Sequence, residues 1–159
     1  MSTDTKELTV RRTILVAASQ ERAFLVFTEG MTSWWPASHH LGKADLARVV
    51  VEPRAGGRWY ECGVDGSECE WGRVLVWEPN GRVAFSWHLD GEWKYQPDPA
   101  TASEVEIRFV PQGPQETSVE LTHRYIERHV GATSVFEGVG SAEGWNGLLE
   151  RYRRMADAR

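Results

Sequence analysis

Few side chains in this 159-residue chain can do chemistry: five histidines (His39, His40, His88, His123, His129), two cysteines (Cys62, Cys69) and the carboxylates. His39 and His40 close the stretch MTSWWPASHH, residues 31 to 40, beside Trp34, Trp35 and Pro36. Trp and His together suggest a catalytic base or a metal ligand. Neighbouring residues in an extended chain point apart, so a metal would need His39 or His40 joined by His123 or a carboxylate. No metal is expected, and no cofactor. The chain has no Gly-x-Ser-x-Gly elbow, no Walker-type phosphate loop and no His-Glu-x-x-His helix. Gly56-Gly57 is a bend at a strand entry and not part of a dinucleotide fingerprint. Two cysteines make no disulfide framework and lack four-ligand zinc spacing, so free thiols are expected.

The elements that must position these residues are read from periodicity. LTVRRTILV (8 to 16) alternates as a strand. Ser19 is an N-cap for a short amphipathic helix carrying Ala23, Phe24 and Phe27, and Pro36 stops any long helix after it. From residue 46 the period is two: LARVVVEP, GGRWYECGV, ECEWGRVLVWEP, RVAFSWHL, SEVEIRFV and TSVELTHRY read as six strands. Asp65-Gly66 and Asn80-Gly81 are hairpin signals, and residues 90 to 102, with Pro97 and Pro99, form a loop. Trp145, Leu148, Leu149, Tyr152 and Met155 or Ala156 make the apolar stripe of a terminal helix with Ser141 as cap. The expected fold is α+β: a curved antiparallel sheet of six to seven strands around a long C-terminal helix, with one or two short helices after the first strand. It spans residues 1 to 159 as a single domain, with its core at about 7 to 157.

The hairpins also sort residues by face. A two-residue turn at Asp65-Gly66 sets Trp59 opposite Gly72, Tyr60 opposite Trp71, Glu61 opposite Glu70 and Cys62 opposite Cys69. A similar turn at Asn80-Gly81 sets Val74 opposite Trp87 and Val76 opposite Phe85. A four-residue loop would change these partners without changing the faces, and a bulge would shift the phase. The inner face then collects Trp59, Glu61, Val74, Val76, Phe85 and Trp87, with Val105, Ile107, Phe109, Val119, Leu121 and His123 from the later strands. Glu61 and His123 are polar groups in phase with an apolar face. Either they sit satisfied near strand ends, or they anchor a ligand in a cavity and exchange protons with it. The outer face collects Tyr60, Trp71, Leu75 and Trp77, an aromatic patch that is either an interface with a second copy or a protein partner, or is covered by residues 90 to 102.

Composition excludes several classes. A formal charge of −5 disfavours nucleic acid and anionic membranes as partners. No apolar run approaches the ~20 residues of a membrane span. The opening MSTDTKELTV lacks the basic and apolar blocks of a secretory signal, so a cytoplasmic protein is expected. Eight tryptophans in so short a chain point to a lined cavity or an interface.

VRRTILVAASQERAFLVFTEGMTSWWP, VVVEPRAGGRWYE, GRVLVWEPNGRVAFSW, EVEIRFVPQGPQETSVELTHR and the closing GW-x-x-L-L helix occur in an order that resembles the START-like or SRPBCC superfamily, the birch-pollen-allergen type of helix-grip protein. Within it the chain looks most like the bacterial branch named after the activator of the heat-shock protein 90 ATPase, over roughly residues 7 to 157. The resemblance implies a helix-grip fold around a deep hydrophobic cavity. Family members include lipid and sterol carriers, hormone receptors and cyclases, and no catalytic motif is common to them. The cavity carries over onto Trp59, Val74, Phe85, Trp87, Phe109, Leu121, His123, Trp145 and Leu149, with Trp34, Trp35 and His39 at its mouth and Glu61 as a second polar anchor.

The expected function is binding of a small apolar or aromatic, or lipid-like, molecule, with no catalysis required. An alternative is a cyclase, isomerase or hydrolase using Glu61 or His123 as acid or base. Another is a co-chaperone or regulatory interaction module using the Trp71 and Trp77 face.

Overall fold

Alternating apolar and polar residues build the sheet that carries everything else. A computed structural model describes residues 7–158; residues 1–6, where much of the signal-peptide reading falls, and residue 159 lie outside it. The strands are β1 (Val10–Val16), β2 (Leu46–Val51), β3 (Arg58–Gly63), β4 (Glu68–Glu78), β5 (Arg82–Trp87), β6 (Ser103–Gly113) and β7 (Glu116–Arg124). They form one antiparallel sheet in the order β1-β7-β6-β5-β4-β3-β2. Every strand anticipated from the period-two pattern is present. Two helices, α1 (Gln20–Phe27) and α2 (Met31–Trp34), connect the two edges of the sheet. The Ser19 side chain caps α1 by accepting from the Arg22 N–H at 3.2 Å. The Arg22 guanidinium in turn donates to the carbonyls of Met155 and Ala156, closing the far end of the C-terminal helix.

That C-terminal segment is bent where a single helix is expected. It begins as α3 (Ala132–Gly140), passes through a π-type turn at Ala142–Asn146 and continues as α4 (Gly147–Asp157). Gly144 makes the elbow with ψ −136°, and a Cβ there would lie 2.3 Å from the Val139 carbonyl oxygen. Ser141 therefore ends α3 rather than starting α4. Leu148, Leu149, Tyr152 and Ala156 face the sheet from α4, while Met155 is half-exposed. No helix among the described residues is long and apolar enough to cross a membrane.

Both hairpins differ from the two-residue turns expected. Glu68 pairs with Cys62, Cys69 with Glu61 and Glu70 with Tyr60, after which Gly72 pairs with Trp59. Trp71 is the extra residue of a bulge. The loop itself has three residues, with Gly66 in the left-handed region at φ 86° and the Gly63 N–H bonded to Ser67 O. Cys62 and Cys69 are thus not opposed, and both are free thiols. At the second hairpin Glu78 pairs with Arg82, Trp77 with Val83 and Val76 with Ala84, but Val74 pairs with Phe85, leaving Leu75 unpaired. Each bulge reverses which face the next side chain occupies. Trp71 and Trp77, placed outside by strict alternation, therefore turn to the concave side. Gly72 is obligatory at this crossing because a Cβ would stand 1.7 Å from the Ser86 carbonyl oxygen.

The outer aromatic patch is accordingly not assembled. Trp71 is buried, and Trp77 packs its ring on Phe24 with centroids 5.1 Å apart. Tyr60 lies beneath the Arg58 guanidinium, 3.9 Å from its ring centre. Leu75 alone remains exposed, at 42%. The 90–102 loop covers His88, whose ring stacks on Tyr95 and hydrogen-bonds Ser86 and the Gln96 carbonyl.

Candidate functional site

The concave side of the sheet is filled at one end and open at the other. At the filled end α1, α2 and α4 press Phe24, Phe27, Trp34 and Tyr152 against Phe109, and the Tyr152 hydroxyl donates to Ala23 O at 2.7 Å. At the other end lies a cavity of about 400 Å³. The sheet contributes Trp71, Trp87 and, just past β5, Leu89. The loop after α2 contributes Trp35, Ser38, His39, His40 and Leu41. Gly138, Val139, Ser141, Glu143, Gly144, Trp145 and Leu148 come from the bent C-terminal segment, and Trp93 comes from the loop after β5. Five indoles thus face one space. No Lys or Arg borders it, and Glu143 is its one acidic residue.

Polar bonds behind the wall hold the indoles in place. Glu61, 1% exposed, accepts from the backbone N–H groups of Leu41 and Gly42 and from Trp71 Nε1 at 2.9 Å. Its carboxylate therefore ties the mouth loop and one cavity indole to β3. Trp35 Nε1 donates to His39 O, and His39 Nε2 donates to the Glu143 carbonyl at 3.1 Å, joining the loop to the helical elbow. Trp93 is held with a left-handed backbone, φ 62°, where Asp90 accepts from the N–H groups of Glu92 and Lys94 and from Gln96 Nε2. The edge of its ring lies against Gly138, where a Cβ would come within 3.0 Å of Cζ2.

His123 stands behind Trp145 and is fully buried. Trp145 Nε1 donates to His123 Nδ1 at 3.0 Å. An indole N–H can only donate, so the proton of a neutral His123 sits on Nε2 and is given to Ser103 Oγ at 2.7 Å. Ser103 then donates to His129 Nε2 at 2.7 Å, and His129 carries its own proton on Nδ1, where no protein atom accepts it. Burial holds both rings neutral. It pushes His123 down to about 3, with a smaller contribution from His129. His129 falls to about 4, again chiefly by burial and then by the proximity of His88. The chain ends at an indole that cannot pass a proton on, so it orients Trp145 and does not supply a base to the cavity.

The family model for activator of Hsp90 ATPase homologue 1-like proteins matches residues 17–156. The chain belongs to that family. No curated protein matches this AHSA1-like chain. Among solved structures it is similar to an anthrahydroquino-γ-pyrone synthase, Txn09, solved as a complex with SUM. The two are 42% identical over 92% of this chain and 95% of that one, with a TM-score of 0.66. It is also similar to the self-sacrificing resistance protein CalC from Micromonospora echinospora, at 29% identity, 94% coverage of each chain and a TM-score of 0.70. Protein NE0264 from Nitrosomonas europaea, 16% identical with 94% of each chain covered and a TM-score of 0.64, shares the fold. The helix-grip architecture implied by the sequence blocks is the architecture observed.

In this AHSA1-like domain four of the expected ligand-contacting residues border the cavity: Trp35, His39, Trp87 and Trp145. Trp59, Glu61 and His123 form a second layer behind it; Trp59 touches both Trp71 and Trp87 with centroids 5.5 and 5.7 Å away. Trp34 belongs to the filled end. Val74, Phe85, Phe109, Leu121 and Leu149 are in the inward phase as expected, yet they are core residues that do not border the open space. The hollow is a chamber at one end, not a cavity along the whole grip. Trp71 joins it because of the bulge. Trp93 was hidden in a loop of no periodicity, its one signal being the turn-forming Asp90-Gly91 just before it.

Proposed function

We propose that the protein binds a small, flat, uncharged aromatic molecule in the tryptophan chamber. The observation that carries this reading is the convergence of five indoles on a space of about 400 Å³ that no Lys or Arg borders. That volume lies within the ~300–1,000 Å³ of small-molecule sites. Indole faces offer stacking surfaces at low conformational cost, which suits a planar guest. The 42% identity to a protein described as an anthrahydroquino-γ-pyrone synthase supports a polycyclic ligand of that kind.

Titration with a dihydroxyanthraquinone, followed by calorimetry and thermal unfolding, is expected to saturate at one site per chain and to raise the unfolding midpoint. Absence of stabilisation by this compound and by xanthone overturns the reading.

A second reading, ring closure on such a ligand, is favoured by the same relative's description as a synthase. Glu61 and His123 are poor candidates for its base because their acceptor atoms are already engaged. His40 is better placed: Nδ1–H donates to Gly42 O at 2.8 Å, which leaves the Nε2 lone pair of a cavity-lining ring unengaged. If turnover is found, His40→Gln is expected to lower kcat at least tenfold with little change in KM. An unchanged kcat removes His40 from that role.

A further inference from the structure

The side chains around the chamber have spent their donors inside the protein. Trp35 gives its indole N–H to His39 O, Trp71 to Glu61 and Trp145 to His123. The Trp87 N–H is closed off by its own neighbours. The Ser141 hydroxyl donates to Gly138 O at 2.7 Å. His39 uses both ring nitrogens: Nε2 donates to the Glu143 carbonyl, so Nδ1 accepts, and the Ser38 hydroxyl donates to it at 3.1 Å. Among the described residues that border the chamber one side-chain donor is left, the indole N–H of Trp93, on a residue 47% exposed.

What remains is acceptors. A hydroxyl that has given its one proton keeps its lone pairs, so Ser38 and Ser141 accept, as does the Glu143 carboxylate. All three are exposed, and water competes for them. The fourth acceptor is His40 Nε2. Nδ1 of this ring lies 2.8 Å from Gly42 O, and a carbonyl only accepts, so the neutral ring carries its proton on Nδ1 and its lone pair on Nε2. No described protein atom donates to Nε2, and unlike the Trp87 N–H it is not closed off. The ring is half-buried and borders the chamber. Its backbone is fixed as well, because Glu61 accepts from the next two amides, Leu41 and Gly42.

We infer that the chamber selects a hydroxylated aromatic, a phenol, whose O–H donates to His40 Nε2, the specificity-determining acceptor of the site. This rests on the binding function proposed above and names the group its ligand carries. A wall that keeps acceptors and has spent its donors favours a guest that brings protons, and a neutral aromatic brings them as phenolic hydroxyls. The hydroxyl stays protonated, because a phenolate would enter a space bordered by Glu143 and by no Lys or Arg. Affinity in such a chamber comes from stacking on the indoles, and selection from the hydrogen bond to His40. No turnover is required.

The test compares 2-hydroxyxanthone with xanthone, which lacks the hydroxyl. Binding of each is measured by calorimetry to the wild type, to His40→Asn and to Trp93→Phe. The wild type is expected to bind the hydroxylated compound at least about fivefold more tightly. In His40→Asn the shorter amide keeps a donor for Gly42 O and has nothing at the position of Nε2, so the ratio should fall to near one. Trp93→Phe removes a donor that a phenol does not need; both compounds should weaken and the ratio should stay. A ratio that is the same in wild type and His40→Asn, or one lost in Trp93→Phe, overturns the His40 assignment alone, and so does the absence of any preference in the wild type. If neither compound binds the wild type, the binding function falls and this assignment with it. A second readout needs no variant: the His40 Nε2 nitrogen resonance should move upfield with 2-hydroxyxanthone, as an unprotonated ring nitrogen does on accepting a hydrogen bond, and not with xanthone. An unmoved resonance overturns the proposal.

Discussion

At one end of the grip Phe24, Phe27, Trp34, Phe109 and Tyr152 meet with ring centroids 5.1 to 5.8 Å apart, leaving no space between them. At the other end Trp35, Trp71, Trp87, Trp93 and Trp145 surround about 400 Å³. Side chains of the same kind line both regions, so residue type does not make the difference. The backbone does. Three helices converge on the filled end, whereas over the hollow end the C-terminal helix breaks at Gly144 and presents Gly138, whose missing side chain leaves room for the Trp93 ring. The hollow end keeps its shape without filling, because Glu61, His39 and His123 fix the loop and the indoles from behind.

The largest expected effect separates the two ends outright. Trp34→Ala should cost about 3–5 kcal/mol in urea unfolding, because it empties a fully packed site. Trp93, 47% exposed, should cost under about 1 kcal/mol as Trp93→Ala while weakening ligand binding strongly. Similar stability losses for the two would erase the distinction.

Acid acts on the hollow end. His123 and His129 titrate near 3 and 4 when folded, against 6.5 when unfolded, so below pH 6.5 the unfolded chain binds more protons. Stability contributed by their neutral burial is complete above 6.5 and declines as the pH falls. For His123 alone the loss is on the order of 2–3 kcal/mol at pH 4.5. His123→Leu should lose about 1–3 kcal/mol at neutral pH, by stranding the Trp145 N–H, and should flatten the acid decline. A decline of unchanged steepness in that variant would mean that other groups cause it.

Glu61→Gln tests the clamp on the mouth loop. Replacing a charge-assisted acceptor of three N–H groups by a neutral one should cost about 1–2 kcal/mol and speed hydrogen exchange at the Leu41 and Gly42 amides. Unchanged exchange there would show that the loop is held by other contacts. The smallest effect is Gly138→Ala. Its Cβ would come within 3.0 Å of Trp93, so affinity should fall a few-fold while stability stays within about 0.5 kcal/mol. An unchanged affinity would place the ligand away from Trp93.

The strands, the Ser19 cap and the inward phase of Glu61 and His123 could all be read from alternation and turn chemistry. Two things could not. A bulge adds one residue without disturbing the look of an alternating run, so ECEWGRVLVWE gives no sign that Trp71 and Trp77 reverse face. Burial phase also says which way a side chain points but not how near the opposing layer stands. Val74, Phe85, Phe109, Leu121 and Leu149 therefore share the phase of the chamber residues while sitting in solid core. The depth of the hollow is decided by the elbow at Gly144, whose ψ of −136° carries no periodic signature.

The central claim, that one end of the grip is a binding chamber and the other is filler, is tested most directly by a nitrogen–proton correlation spectrum of the indole groups during titration with xanthone. The resonances of Trp35, Trp71, Trp87, Trp93 and Trp145 should shift and saturate together, with Trp34 unmoved. Shifts that include Trp34 to the same extent, or no shift at the five chamber indoles, would contradict the account.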